Sequence, residues 1–155
     1  MSVADALPNR RVEGWRWSDL SAALAGREAN LAPGDRHVIA RLAQGAGRLR
    51  QIDVRPGEAR VEVEAIGSGT LDVRAIEAEV GDGGSLAIVT LQAGGDVALA
   101  HRKVKLAKSA SFRHFVIADG ARYARIEAEI DVVGAGARVE LGGVYLAARA
   151  RHADL

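Results

Sequence analysis

Residues 74–91 read RAIEAEVGDGGSLAIVTL. Apolar and charged side chains alternate through Ile76, Glu77, Ala78, Glu79 and Val80. Alternation of this kind marks a strand with one face in a core and one in water. Four small turn residues follow, Gly81 to Gly84, and then a second apolar run from Leu86 to Leu91. The unit is strand, tight corner, strand. Its four-residue corner lacks the Asn-Gly signal of a two-residue hairpin.

The same unit recurs along the chain. HRKVKLAKSASFRHFVI starts at His101, EAEIDVVGAGARVEL at Glu127, and a fainter copy, RQIDVRPGEARVEVEAI, at Arg50. The spacing is about 26 residues, which suits one coil of a parallel β-helix. Stepping by that period gives the columns Ile52, Ala78, Val104, Ile130 and Val54, Val80, Leu106, Val132, all apolar and expected inside. The positions between them read Gln51, Glu77, Lys103, Glu129 and Asp53, Glu79, Lys105, Asp131, expected outside. A lysine strand between two acidic strands attracts both. The predicted fold is therefore all-β: a right-handed parallel β-helix with ~26-residue coils, preceded by a short N-terminal helical segment. An antiparallel sandwich is the alternative, but sandwiches rarely show a fixed repeat.

Length and composition narrow the function. The 155 residues suit one domain. Twenty-one basic and 20 acidic side chains nearly cancel, so no basic stripe points to nucleic acid. There is no cysteine, which excludes disulfides and thiolate ligands and agrees with a cytoplasmic location. No apolar run approaches a membrane span.

The ends differ from the repeat. Residues 1–30 form an N-terminal segment, 31–147 the β-helix and 148–155 a charged tail expected to be mobile. Ser18 reads as a helix N-cap and Gly26 as the residue beyond its C-cap. So short a helix must pack on something, and Trp15 and Trp17 are the expected anchors. Residues 27–47 read as a connection with one apolar element, His37 to Leu42. At the other end the run Val139 to Ala147 is a last strand without a recognisable cap. Leu141, Val144, Tyr145 and Leu146 are the expected partner-binding residues of an open β-helix end.

Chemistry is not announced. His37, His101, His114 and His152 have no metal-ligand spacing, and His101 and His114 read as structural. No nucleophile elbow or phosphate loop is present. Acids at 77, 79, 129 and 131 could imitate a glycan-cleaving cluster, but lysines separate them. The expectation is a protein without enzymatic activity, cofactor or metal.

Two segments carry a family resemblance. In LPNRRVEGWRWSDL, residues 7–20, the positions Leu7, Pro8, Arg10, Arg11, Glu13, Trp15, Arg16, Asp19 and Leu20 resemble the N-terminal pattern of the SufD family. Trp17 stands where that family commonly has Tyr, and Ser18 where it has Thr. Between Phe115 and Ala147, the pair Ala124-Arg125, the glycines Gly134 and Gly136, and the run LGGVYLA look similar too. The resemblance implies a scaffold subunit of the SufB–SufC–SufD iron–sulfur cluster assembly machinery. It implies a parallel β-helix that pairs with a SufB-like subunit, and the open end allows a second copy of the chain as partner instead. The family's C-terminal helices, which bind the ATPase SufC, have no counterpart in these residues, which counts against SufC binding. The expected protein is thus a shortened or partial family member. The rival reading is a self-assembling β-helical structural protein unrelated to iron–sulfur work.

Overall fold

A computed structural model of the chain describes residues 6–146 and 152–154. Among the described residues, nine strands form two parallel sheets. Sheet A holds β1 (Leu49–Val54), β3 (Leu71–Val80), β5 (Val97–Leu106), β7 (Tyr123–Val132) and β9 (His152–Asp154). Sheet B holds β2 (Ala59–Ile66), β4 (Ser85–Ala93), β6 (Ser111–Asp119) and β8 (Arg138–Leu146). The chain alternates between the sheets, so each coil gives one strand to each wall of a parallel β-helix.

The register is the one that the repeat predicts. Ile52 pairs with Ala78, Ala78 with Val104 and Val104 with Ile130, each step being 26 residues. These residues, with Val54, Val80, Leu106, Leu86, Ile88 and Phe112, pack in the lumen. A second lumen cluster gathers Ile66, Ala98, Ala100, Val116 and Ile126. Burying each larger apolar side chain contributes about 1.5–3 kcal/mol. Val132, expected inside, is 56% exposed, because no strand among the described residues covers this part of β7.

Corners between sheet A and sheet B share one backbone device. Gly57, Gly83 and Ser109 are 26 residues apart and all have positive φ, at 71°, 65° and 55°. Each donates its N–H to the corner of the next coil: Gly57 to the Asp82 carbonyl, Gly83 to Lys108 and Ser109 to Ala135. The fourth corner, residues 133–137, has one residue more than its predecessors. Ser111 accordingly pairs with Arg138, 27 positions on. On the opposite side, buried Asp72 ties a corner together. It accepts from the N–H groups of Gly67 (3.0 Å) and Ser68 (3.2 Å) and from Arg48 and Arg74. Burial alone would raise this carboxyl, but Arg74 and the two backbone donors outweigh it and hold it at about 2.

The outer face of sheet A is divided. Over its first half lie α1 (Leu20–Ala23) and α2 (Val38–Gly45), which bury Leu20, Ile39, Leu42 and Ala43 against Val73, Ala75, Val97 and Leu99. Its second half is exposed and carries the expected charge columns. Lys103 pairs with Glu129 (3.3 Å) and Lys105 with Glu79 (3.7 Å), whereas Glu77 takes Arg36 (2.8 Å). Such exposed pairs contribute about 0–1 kcal/mol each.

Several expectations for the ends need correction. Asp19, not Ser18, caps α1, accepting from the Ala22 N–H at 2.9 Å. Ser18 is instead buried and bonds His152 (2.8 Å) and Asp154 (2.9 Å). The element read from His37 to Leu42 is the helix α2, and the first strand begins at Leu49, so residues 31–48 form no coil. Within the tail, His152–Asp154 form β9 on the edge of β7, held by the Ser18 bonds and by an Arg125–Asp154 ion pair. The expected tail residues 148–151 and 155, like Ala147 of the last strand run, lie outside the described residues. Trp15 is buried in the helix–sheet cluster, but Trp17 is 77% exposed with only Arg16 near its ring. Trp17 makes no anchoring contact, because the single 3-10 turn Glu13–Trp15 sends side chains two residues apart in different directions.

Candidate functional site

All four residues expected to bind a partner lie on β8, and all are exposed. One edge of β8 pairs with β6; among the described residues no strand pairs with the other. Its backbone donors and acceptors there form a template for another strand. The four side chains do not share a face, however. Leu141 and Tyr145 align with His114 and Ala118, the buried lumen positions of β6. Val144 and Leu146 align with Ile117 and Asp119, on the outside. Leu141 and Tyr145 therefore form the apolar lip of the lumen, and Val144 and Leu146 belong to another surface.

A cavity of about 760 Å³ opens beside this lip. His114 and Leu141 reach it from sheet B, and His37, His101, Arg125, Glu127 and Glu129 border it from the outer face of sheet A. A stack of rings forms that border. The Arg125 guanidinium lies 3.9 Å over Trp15, Trp15 stacks on His37 at 6.1 Å, and His37 stacks on His101 at 4.3 Å. His37 Nδ1 accepts from the Ile39 N–H, starting α2, and its Nε2 faces Glu127 at 2.8 Å. This residue thus joins the N-terminal helices to β7. Burial, with His37 as a cationic neighbour when protonated, pushes His101 down to about 4. Burial alone would raise the Glu127 carboxyl, but His37 and Arg125 hold it below the usual range.

The residues bordering the cavity do not form a metal centre. The His37 and His101 rings are parallel within 4°, so their in-plane lone pairs do not converge on one point. No group of three His, Cys, Asp or Glu among the described residues is arranged to hold a metal. The acids at 77, 79, 129 and 131 are interleaved with Lys103 and Lys105, as the register requires, so the glycan-cleaving cluster does not form.

Sequence reasoning missed a polar group inside the lumen. Arg102 is fully buried and pairs with Glu64 on the opposite wall. It also donates to Thr90 Oγ1 (3.2 Å), which bonds His114 Nε2 (3.0 Å). Burial and the nearby Arg102 charge push His114 down to about 4. The signal was present: two positions before the apolar column of Ile52 comes the column Arg50, Ile76, Arg102, Ala128, facing the same way.

Fold and surface together define a parallel β-helix protein whose last edge and lumen lip are uncovered among the described residues. Residues 53–155 match the family model described as SUF system FeS cluster assembly, SufBD core domain. The chain belongs to this family, and membership ties it to iron–sulfur cluster assembly by the SUF system and to the protein partners of that assembly. No curated protein and no solved structure matches the chain. The family match covers the β-helix from the end of β1 onward and leaves the N-terminal helices outside it.

Proposed function

We propose that the chain is a non-enzymatic scaffold subunit of the SufD type, which pairs with a SufB-like subunit through the open end of its β-helix. The observation that carries this reading is β8: a nine-residue strand exposed along its whole length, with Leu141 and Tyr145 at the lumen lip. An edge strand beside exposed apolar side chains favours strand addition by a partner. These 155 residues hold no cysteine and so offer a cluster no thiolate. A cluster under assembly is the cargo here, and its thiolate ligands come from the partner. On this reading the protein works in the cytoplasm and positions a partner.

Co-expression with a SufB-like subunit, followed by light scattering on a sizing column, tests it. A heteromeric complex is expected, weakened by Leu141→Glu and Tyr145→Glu. A chain that stays alone at tens of micromolar, or a complex indifferent to both substitutions, refutes the reading. Homodimers lost on the same substitutions would assign the edge to a second copy. A SufC-like ATPase belongs in the assay as a comparison.

A further inference from the structure

The outer face of sheet B is unlike that of sheet A. On sheet A, outward apolar residues are covered by α1 and α2, and outward positions without a helix are polar or charged. On sheet B two adjacent outward rows are apolar and uncovered among the described residues. Val63, Val89 and Phe115 align in one row, and Leu91, Ile117 and Val144 in the next. Val63 is 66% exposed, Ile117 45% and Val144 52%. The Phe115 ring packs against Gly142, where a Cβ would come within 3.2 Å of it, and so floors the stripe. Charge begins only at its border, where Arg113 pairs with Glu140 at 2.9 Å.

The shape of the stripe selects its occupant. Two rows on one face lie about 7 Å apart, and four strands span about 14 Å. One α-helix about 10 Å across and ten residues long covers that area. A second copy laid face to face would bury a few hundred Å² on each side, short of the roughly 1,200 Å² total of a stable pair. The molecule already uses the helical solution on its other wall, where α2 sets Ile39, Leu42 and Ala43 on Val73, Ala75, Val97 and Leu99.

We propose that the outer face of sheet B is a docking surface for one amphipathic helix of a partner protein, with apolar residues at i, i+3, i+4 and i+7. The surface is distinct from the lumen lip of Leu141 and Tyr145, so a partner can engage each independently.

The probe is a synthetic amphipathic peptide of about 14 residues with leucine at those positions, beside a scrambled peptide of the same composition. Fluorescence anisotropy reads binding and circular dichroism reads helix formation. The patterned peptide is expected to bind the full chain and become helical. Ile117→Glu and Val63→Glu, both at exposed positions, are each expected to weaken it at least tenfold with unchanged melting. Lys105→Glu, on sheet A, leaves binding intact. Equal binding of the scrambled peptide, or indifference to Ile117→Glu and Val63→Glu, overturns the proposal. So does dimerisation of the chain abolished by Ile117→Glu, which assigns the face to a second copy. Binding to phosphatidylcholine–phosphatidylglycerol vesicles, lost in the same variant, overturns it in favour of a lipid surface.

Discussion

Arg102 on β5 and Glu64 on β2, 38 residues apart in sequence, form an ion pair across the lumen with neither side chain open to water. Burial lowers the arginine's pKa from its ordinary value, and Glu64 opposes that effect. Removing one partner of such a pair costs about 3–5 kcal/mol, since it strands a buried charge, whereas replacing both by apolar groups is often neutral. Arg102→Met is therefore expected to destabilise strongly, and Arg102→Met with Glu64→Leu to recover most of the loss. Urea unfolding of the wild type, the two single variants Arg102→Met and Glu64→Leu, and the double variant measures the coupling; strictly additive losses would disprove it.

Acid should weaken the fold well before carboxylates titrate. His101 and His114 are held at about 4 in the folded chain, below the ordinary value of 6.5. As pH falls, the unfolded chain takes up protons first, so stability is complete above about 6.5 and declines towards about 4. Each histidine contributes on the order of 3 kcal/mol across that window. His114→Gln, which can keep the Thr90 contact, should flatten part of the slope. Melting curves at pH 7, 5.5 and 4 that superimpose for the wild type would contradict this.

The corners allow a graded test of backbone strain. Ser109 is the described non-glycine residue with positive φ, at a site that glycine fills in the other three coils. A left-handed conformation costs a non-glycine residue about 1–2 kcal/mol, partly offset by the extra freedom glycine gives the unfolded chain. Ser109→Gly should raise stability by up to ~1 kcal/mol. Gly95→Ala should lower it by more than Gly83→Ala does, because its Cβ would sit 2.4 Å from the Gly67 carbonyl while that of Gly83 meets nothing. Equal melting temperatures for the two alanine variants would sink the argument.

The two tryptophans should part company. Trp15→Ala removes a buried ring sandwiched between Arg125 and His37 and should cost about 3–5 kcal/mol. Trp17→Ala, at an exposed site, should stay within about 0.5 kcal/mol. The same thermal denaturation experiment reads both, and a large loss for Trp17→Ala would contradict the exposed position of its ring.

The repeat was legible because it needs only a constant spacing and the alternation of strand side chains. Ile52, Ala78, Val104 and Ile130 expose both at once. The helix α2 was harder to see, since Val38 and Ile39 favour strands and its cap is the ring of His37 rather than a Ser or Asp. A clue lay elsewhere: Val97 to Ala100 abandons alternation, because this part of β5 is covered on both faces. The lumen pair was missed because charge in a strand reads as solvent-facing until its register is extended. The role of Ser18 depends on Asp154, 136 residues away, which no local pattern carries.

The pair of Arg102 and Glu64 also counts coils. Every corner and column would survive a 26-residue insertion between β2 and β5, since the repeat closes on itself. Such an insertion would move Glu64 one strand spacing, about 4.8 Å, further from Arg102 and leave both charges stranded. A solenoid that can otherwise grow by whole coils thus holds an internal gauge of its own length between these strands.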